Sequence, residues 1–197
     1  MGMEIFMSEA PQRPYSRPVI ERTVSLRTET AQRVMEREYG RVENALYSLE
    51  VILRIIGKPE AVDAIETAVN QLLMDCIRLV EQEQERFKKL MDDHGILESP
   101  NYTQAREIRV AVSSPQVGQY LLLVQKLDEL IARMDALWLM GVLSNQQRAD
   151  ASYHWQQTVL HMGRKIAELQ RRGGKAIARE RDSKKDLLSV EEGEKDE

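Results

Sequence analysis

Residues 21–30 read ERTVSLRTET. Within them Thr23, Ser25 and Arg27 alternate with Val24 and Leu26. A period of two puts the polar side chains on one face of a short strand and the apolar ones on the other. Hydroxyls beside an arginine make a hydrogen-bonding set suited to nucleic acid. Arginine grips guanine through two contacts, and serine or threonine can donate to or accept from several bases. An antiparallel two-stranded ribbon fits the major groove of B-DNA, with alternate side chains reaching base edges. The same alternation also suits a ribbon that is only half exposed and reads nothing.

A lone strand leaves its backbone N–H and C=O groups unpaired. The chain offers one other alternating stretch, REIRVAVSSP, at 106–115. Ile108, Val110 and Val112 fall on one face, and Arg109, Ala111 and Ser113 on the other. Paired antiparallel, the two strands would turn their apolar faces to a core and their polar faces outward. Thr23, Ser25, Arg27, Arg109 and Ser113 are then the candidate DNA-contacting residues. Phosphate contacts are expected from Arg22 and from helix starts, whose free N–H groups and dipole attract anions. Lys58 lies at one such start, and Ser144 and Asn145 at another.

Helices must carry these strands. Thr28 is a plausible N-cap, and Ala31, Val34, Met35, Val42, Leu46, Leu49, Leu53 and Ile56 then recur at threes and fours. Gly40 interrupts this run at a cost of about 1 kcal/mol relative to alanine. GKPE at 57–60 ends one helix and opens another, which reaches about His94. After a loop and the second strand, Ser114 and Pro115 form an N-cap and first-turn proline. A helix follows to Met140, Gly141 breaks it, and another runs from Ser144 toward RRGG at 171–174. Strand–helix–helix thus occurs twice, over 21–94 and 106–172, which suggests an internal duplication. Residues 1–20, with Pro11, Pro14 and Pro18 among arginines, form an expected flexible arm, and Arg13 and Arg17 could follow a DNA backbone. Residues 173–197 form an expected disordered tail, basic and then acidic.

The formal charge is −4, a weak argument against nucleic acid. The last eight residues alone carry five acids and one lysine, which leaves the rest formally neutral. Residues 164–185 hold nine basic residues against three acids. His94, His154, His161 and Cys76 lack a metal-ligand spacing, and no nucleotide-binding or hydrolase motif is present. We therefore expect no metal, no cofactor and no enzyme. One cysteine, no leader and no long apolar run suit a cytoplasmic chain without membrane contact.

VSLRTETAQRVMEREYGRVENAL and LDELIARMDALWLMGVLSNQQRADASYHWQ resemble the AcaB-type family of conjugative plasmids and integrative conjugative elements. The resemblance covers roughly residues 15–172 and rests on overall pattern. It implies a ribbon-helix-helix transcriptional activator of transfer genes, with double-stranded DNA as partner. By that pattern, Thr23, Ser25 and Arg27 match the three alternating base-reading positions. An activator also implies RNA polymerase as a partner, although no residue pattern marks such a contact. Small ribbon-helix-helix proteins have shorter helices and build the ribbon from two chains. Here two arrangements stay open. One is a monomer with internal pseudo-symmetry. The other is a homodimer, in which YGRVEN with Gly40 is the helix–helix turn and strand 21–28 pairs with a second copy. The expected fold class is mainly α, with long antiparallel helical hairpins and a short antiparallel ribbon. The alternative function is a helical protein–protein interaction or assembly factor of a mobile element, without DNA binding.

Overall fold

The alternating stretches become the two strands of one antiparallel sheet, β1 (Ile20–Leu26) and β2 (Arg106–Val112). They belong to one chain, so the ribbon needs no second copy. The computed structural model describes residues 18–49 and 59–193. Around the ribbon stand four helices among those residues: α1 (Glu29–Tyr47), α2 (Pro59–Asp93), α3 (Pro115–Leu139) and α4 (Asn145–Gly193). The order is strand, helix, helix, then strand, helix, helix.

Local chemistry sets the helix ends. Thr28 is extended, and its Oγ1 accepts from the Ala31 N–H at 3.3 Å. Ser114 does the same for Val117 at 3.3 Å, with Pro115 following. Each cap satisfies an N–H that the first helical turn leaves without a partner. Gly95 and Gly141 have φ of 67° and 74°, the left-handed conformation that closes a helix. Ile96 N–H reaches Met91 O at 2.9 Å and Val142 N–H reaches Leu137 O at 2.9 Å, the long bonds of a Schellman ending.

α3 is the central helix. It touches both strands and the other three helices, and it is buried on most of its surface, including Tyr120, Leu123, Leu127, Leu130 and Met134. Its apolar-rich sequence follows from that position, because a helix covered on most sides has little need of a polar face. The other helices keep one apolar stripe each.

The helices pair crosswise between the halves. Glu81 meets Lys126 at 2.8 Å, and Gln84 meets Glu129 at 3.3 Å, so α2 and α3 keep an offset of 45 residues and run parallel. Gln170 donates to Ser48 at 2.9 Å across an offset of 122, and Gly163 lies against Val42. α1 and α4 therefore also run parallel. The first helix of each half packs beside the second helix of the other.

Three expectations change. α1 passes straight through Gly40, so YGRVEN is helix interior and not a turn. α4 passes through Gly173 and Gly174 to Gly193, beyond the boundary expected at 172. Among the described residues only Gly95 and Gly141 have positive φ, which is what makes a glycine a helix ending. The other described glycines are merely weak helix formers. The helices are also not simple antiparallel hairpins alone, since their parallel partners lie in the opposite half. The turn expected at Gly57 and Lys58, the arm residues Arg13 and Arg17, and the last four residues lie outside the described residues. No described helix is long and apolar enough to cross a membrane.

Candidate nucleic-acid interface

The register of the ribbon decides which side chains share its open face. Thr23 lies opposite Arg109, Val24 opposite Ile108, and Ser25 opposite Glu107. Directly opposed residues point to the same side of an antiparallel pair. The inner side carries Val24, Leu26 and Val110, all buried, with Ile108 and Val112 half-buried. The outer side carries Glu21, Thr23 and Ser25 from β1, and Glu107, Arg109 and Ala111 from β2. All six are exposed except Ala111, which is half-buried and whose carbonyl accepts from the Tyr39 hydroxyl at 3.2 Å.

Thr23, Ser25 and Arg109 therefore stand together, as expected from the sequence. Arg27 and Ser113 do not join them. β1 ends at Leu26 and β2 at Val112, one residue before each. At both positions the paired ladder has ended and the next residue is the helix N-cap, so strand pairing no longer fixes the face. Arg27 Nε donates to Asp128 Oδ2 at 2.9 Å, and the Arg27 and Thr28 N–H groups donate to Asp128 Oδ1 at 2.9 and 2.7 Å. Ser113 is half-buried, with its Oγ enclosed and no hydrogen-bond partner. The outward set on β1 is thus 21, 23 and 25 rather than 23, 25 and 27.

Glu21 and Glu107 are the residues the sequence reading missed. The signal was present, since the alternation ERTVS begins at Glu21. With them, the outer face holds one arginine and two glutamates, a formal −1. Arg22 falls by register on the inner side, opposite Val110, yet is exposed, so its charge sits at the ribbon margin. Arg106 is held by Glu36.

The second helix start is farther away. Asp128 marks the Leu26 end of the ribbon on α3, and Leu139 lies three turns beyond it, about 16 Å at 1.5 Å per residue. Ser144 and Asn145 follow. Ser144 Oγ accepts from the Gln147 N–H at 3.2 Å, while Gln147 Oε1 accepts from the Ser144 N–H at 2.8 Å, a capping box. Asn145 Oδ1 accepts from Trp138 Nε1 at 2.6 Å. Both side chains are engaged locally. Lys58 lies outside the described residues.

α3 anchors this frame through two buried acids. Asp128 holds the strand end, and two turns later Asp135 accepts from the Tyr102 hydroxyl at 2.8 Å and pairs with Arg148. Burial, then the Asp135 carboxylate, raise the Tyr102 phenol above its usual range. These contacts tie the loop before β2 and the start of α4 to the central helix.

No protein-family model matches the sequence, and no curated protein matches it. A solved structure does. The chain is 38% identical to AcaB from uropathogenic E. coli, a crystal structure of the selenomethionine-containing protein, with a TM-score of 0.81 over 84% of this chain and 86% of that one.

Proposed function

The chain belongs to the AcaB family, and from that premise we propose that it is a sequence-specific DNA-binding regulator of a mobile element. Its reading surface is the outer face of the ribbon. The observation that carries this is the direct opposition of Thr23 and Arg109 on that face, with Ser25 beside them. Such a set offers donors and acceptors to base edges from rigid backbone, rather than from a loop. Glutamate can accept from the cytosine amino group, so Glu21 and Glu107 are compatible with base reading. They add nothing to phosphate attraction. Phosphate contacts fall to Arg22 at the margin, to Lys58, and to the helix start at Ser144 and Asn145. Activation of conjugative transfer genes, with RNA polymerase as a second partner in the cytoplasm, follows the family resemblance and not any residue seen in the fold.

A second reading has an observation of its own. The acidic outer face is a poor DNA surface, and Leu97, Leu139 and Met140 are 89%, 61% and 66% exposed beside an apolar cleft behind Gly95. A protein partner packed there would make the ribbon a structural clip.

Fluorescence titration on promoter fragments of the host element separates the two. The reader requires preference for particular fragments over random duplex. Arg109→Ala should lose about 1–3 kcal/mol at one base position and relax preference there. Equal binding of wild type and Arg109→Ala to specific and random duplexes sinks the reading and leaves the interaction factor.

A further inference from the structure

We propose that the ribbon reads an asymmetric DNA site and so fixes the protein on its operator in one orientation. This rests on the DNA-binding reading above and extends it to the form of the site.

The two halves keep one numbering offset through the ribbon and into the helices. The strands begin at Ile20 and Arg106 and end at Leu26 and Val112. The caps are Thr28 and Ser114, and the N–H groups they accept belong to Ala31 and Val117. Every matched pair is 86 positions apart. Thr23 and Arg109 are also 86 apart, and they face each other directly. The local two-fold axis of the ribbon therefore passes between a residue and its own counterpart. Position by position, the axis relates Glu21 to Glu107, Thr23 to Arg109, and Ser25 to Ala111.

Two identical chains would present every outward residue twice and would read a palindrome. One chain supplying both strands is free of that constraint, and this chain uses the freedom unevenly. One pair of counterparts, Glu21 and Glu107, is identical. The other two differ in kind: Thr23 and Arg109 at the axis, and Ser25 and Ala111, which stand directly opposite Glu107 and Glu21. Arginine favours guanine through its O6 and N7, whereas threonine bonds less selectively. Serine can hydrogen-bond a base edge, whereas the alanine methyl suits the methyl group of thymine. The expected site has cytosine at two symmetry-related positions, where each glutamate accepts from the amino group. It is asymmetric at its centre, with guanine beneath Arg109 only, and at its two ends, where Ser25 lies beside one glutamate and Ala111 beside the other.

Selection of bound duplexes from a random library by the full chain tests this, beside two variants. Thr23→Arg with Ser25→Ala gives both strands the Glu-Arg-Ala pattern. Arg109→Thr with Ala111→Ser gives both the Glu-Thr-Ser pattern. All four positions lie on the outer face, and a thermal melt checks that each variant keeps its fold. Wild type should select a non-palindromic consensus, and each symmetrised variant should select a palindrome. Each variant should bind its own palindrome about 10-fold more tightly than the wild-type site, the weight of one good base contact. A palindromic wild-type consensus overturns the inference while leaving DNA binding intact, as does selection of the wild-type site by both variants. Failure of wild type to enrich any sequence overturns DNA binding itself, and the inference with it.

Discussion

Arg27 and Asp128 are 101 positions apart in sequence, and the Nε of one lies 2.9 Å from the carboxylate of the other. The same carboxylate takes the N–H groups of Arg27 and Thr28. One acid on the central helix thus satisfies the end of β1, just before the α1 cap. Its side chain is 4% exposed, whereas that of Arg27 is 35% exposed. Asp128→Ala would leave two backbone donors and a guanidinium without their acceptor. We expect a loss of about 3 kcal/mol. Urea denaturation measures it, and a midpoint unchanged from wild type would remove Asp128 from the frame.

Arg27 and Arg109 looked alike in the sequence and should behave differently on mutation. Arg27→Ala leaves Asp128 its two backbone donors, so the loss of stability should be smaller, about 1–2 kcal/mol. Base preference should be unchanged, because the residue does not stand on the outer face. Arg109→Ala should do the reverse, with little change in melting and altered preference. Matched melts and DNA titrations of the two variants check the contrast.

Glycines at two helix positions make opposite predictions. A Cβ at Gly163 would sit 3.0 Å from Val42 Cγ2 and 3.3 Å from the Tyr120 hydroxyl, where α4 closes on α1 and α3. Gly163→Ala should therefore destabilise by about 1–3 kcal/mol through overpacking. A Cβ at Gly40 meets nothing within 4 Å. Gly40→Ala should stabilise by about 0.5–1 kcal/mol, since the helix there gains a better former. Thermal unfolding of both variants gives the signs directly.

Cys76 is buried, and burial pushes its thiol up from 9.0 to about 11. Between those values the unfolded thiol has lost its proton and the folded one has kept it. The unfolded state then binds fewer protons, so stability falls as pH rises. Cys76 should contribute fully below pH 9 and lose its contribution by about pH 11. The phenols of Tyr102 and Tyr120, raised mainly by burial, act in the same direction at higher pH. Cys76→Ala should flatten the first part of this decline. A thiol reagent at pH 8 should react with the unfolded chain and spare the folded one.

Much of this fold was legible because its signals are local. Strict alternation marked both strands, Thr28 and Ser114 announced their helices, and Gly141 marked the end of α3. The pairing of β1 with β2 was legible too, since each needed a partner. The exact outward set was not. Alternation assigns faces but does not say where a strand stops, and here the stop depends on Asp128, distant in sequence. The end of α4 was misread at Gly173 and Gly174 because composition does not reveal φ. Glu21 was visible and left out of the outward set, and Glu107 became an outer-face residue only once the register was known.

The crosswise pairing of α1 with α4 and of α2 with α3 has a consequence for biosynthesis. When the ribosome has released the first half, β1 has no strand to pair with and α1 has no α4 beside it. Contacts across such separations make for slow folding, because the long loops must close before the pairing repays them. The first half must stay open until the second emerges, and cutting the chain between α2 and β2 should yield two fragments that fold only when mixed.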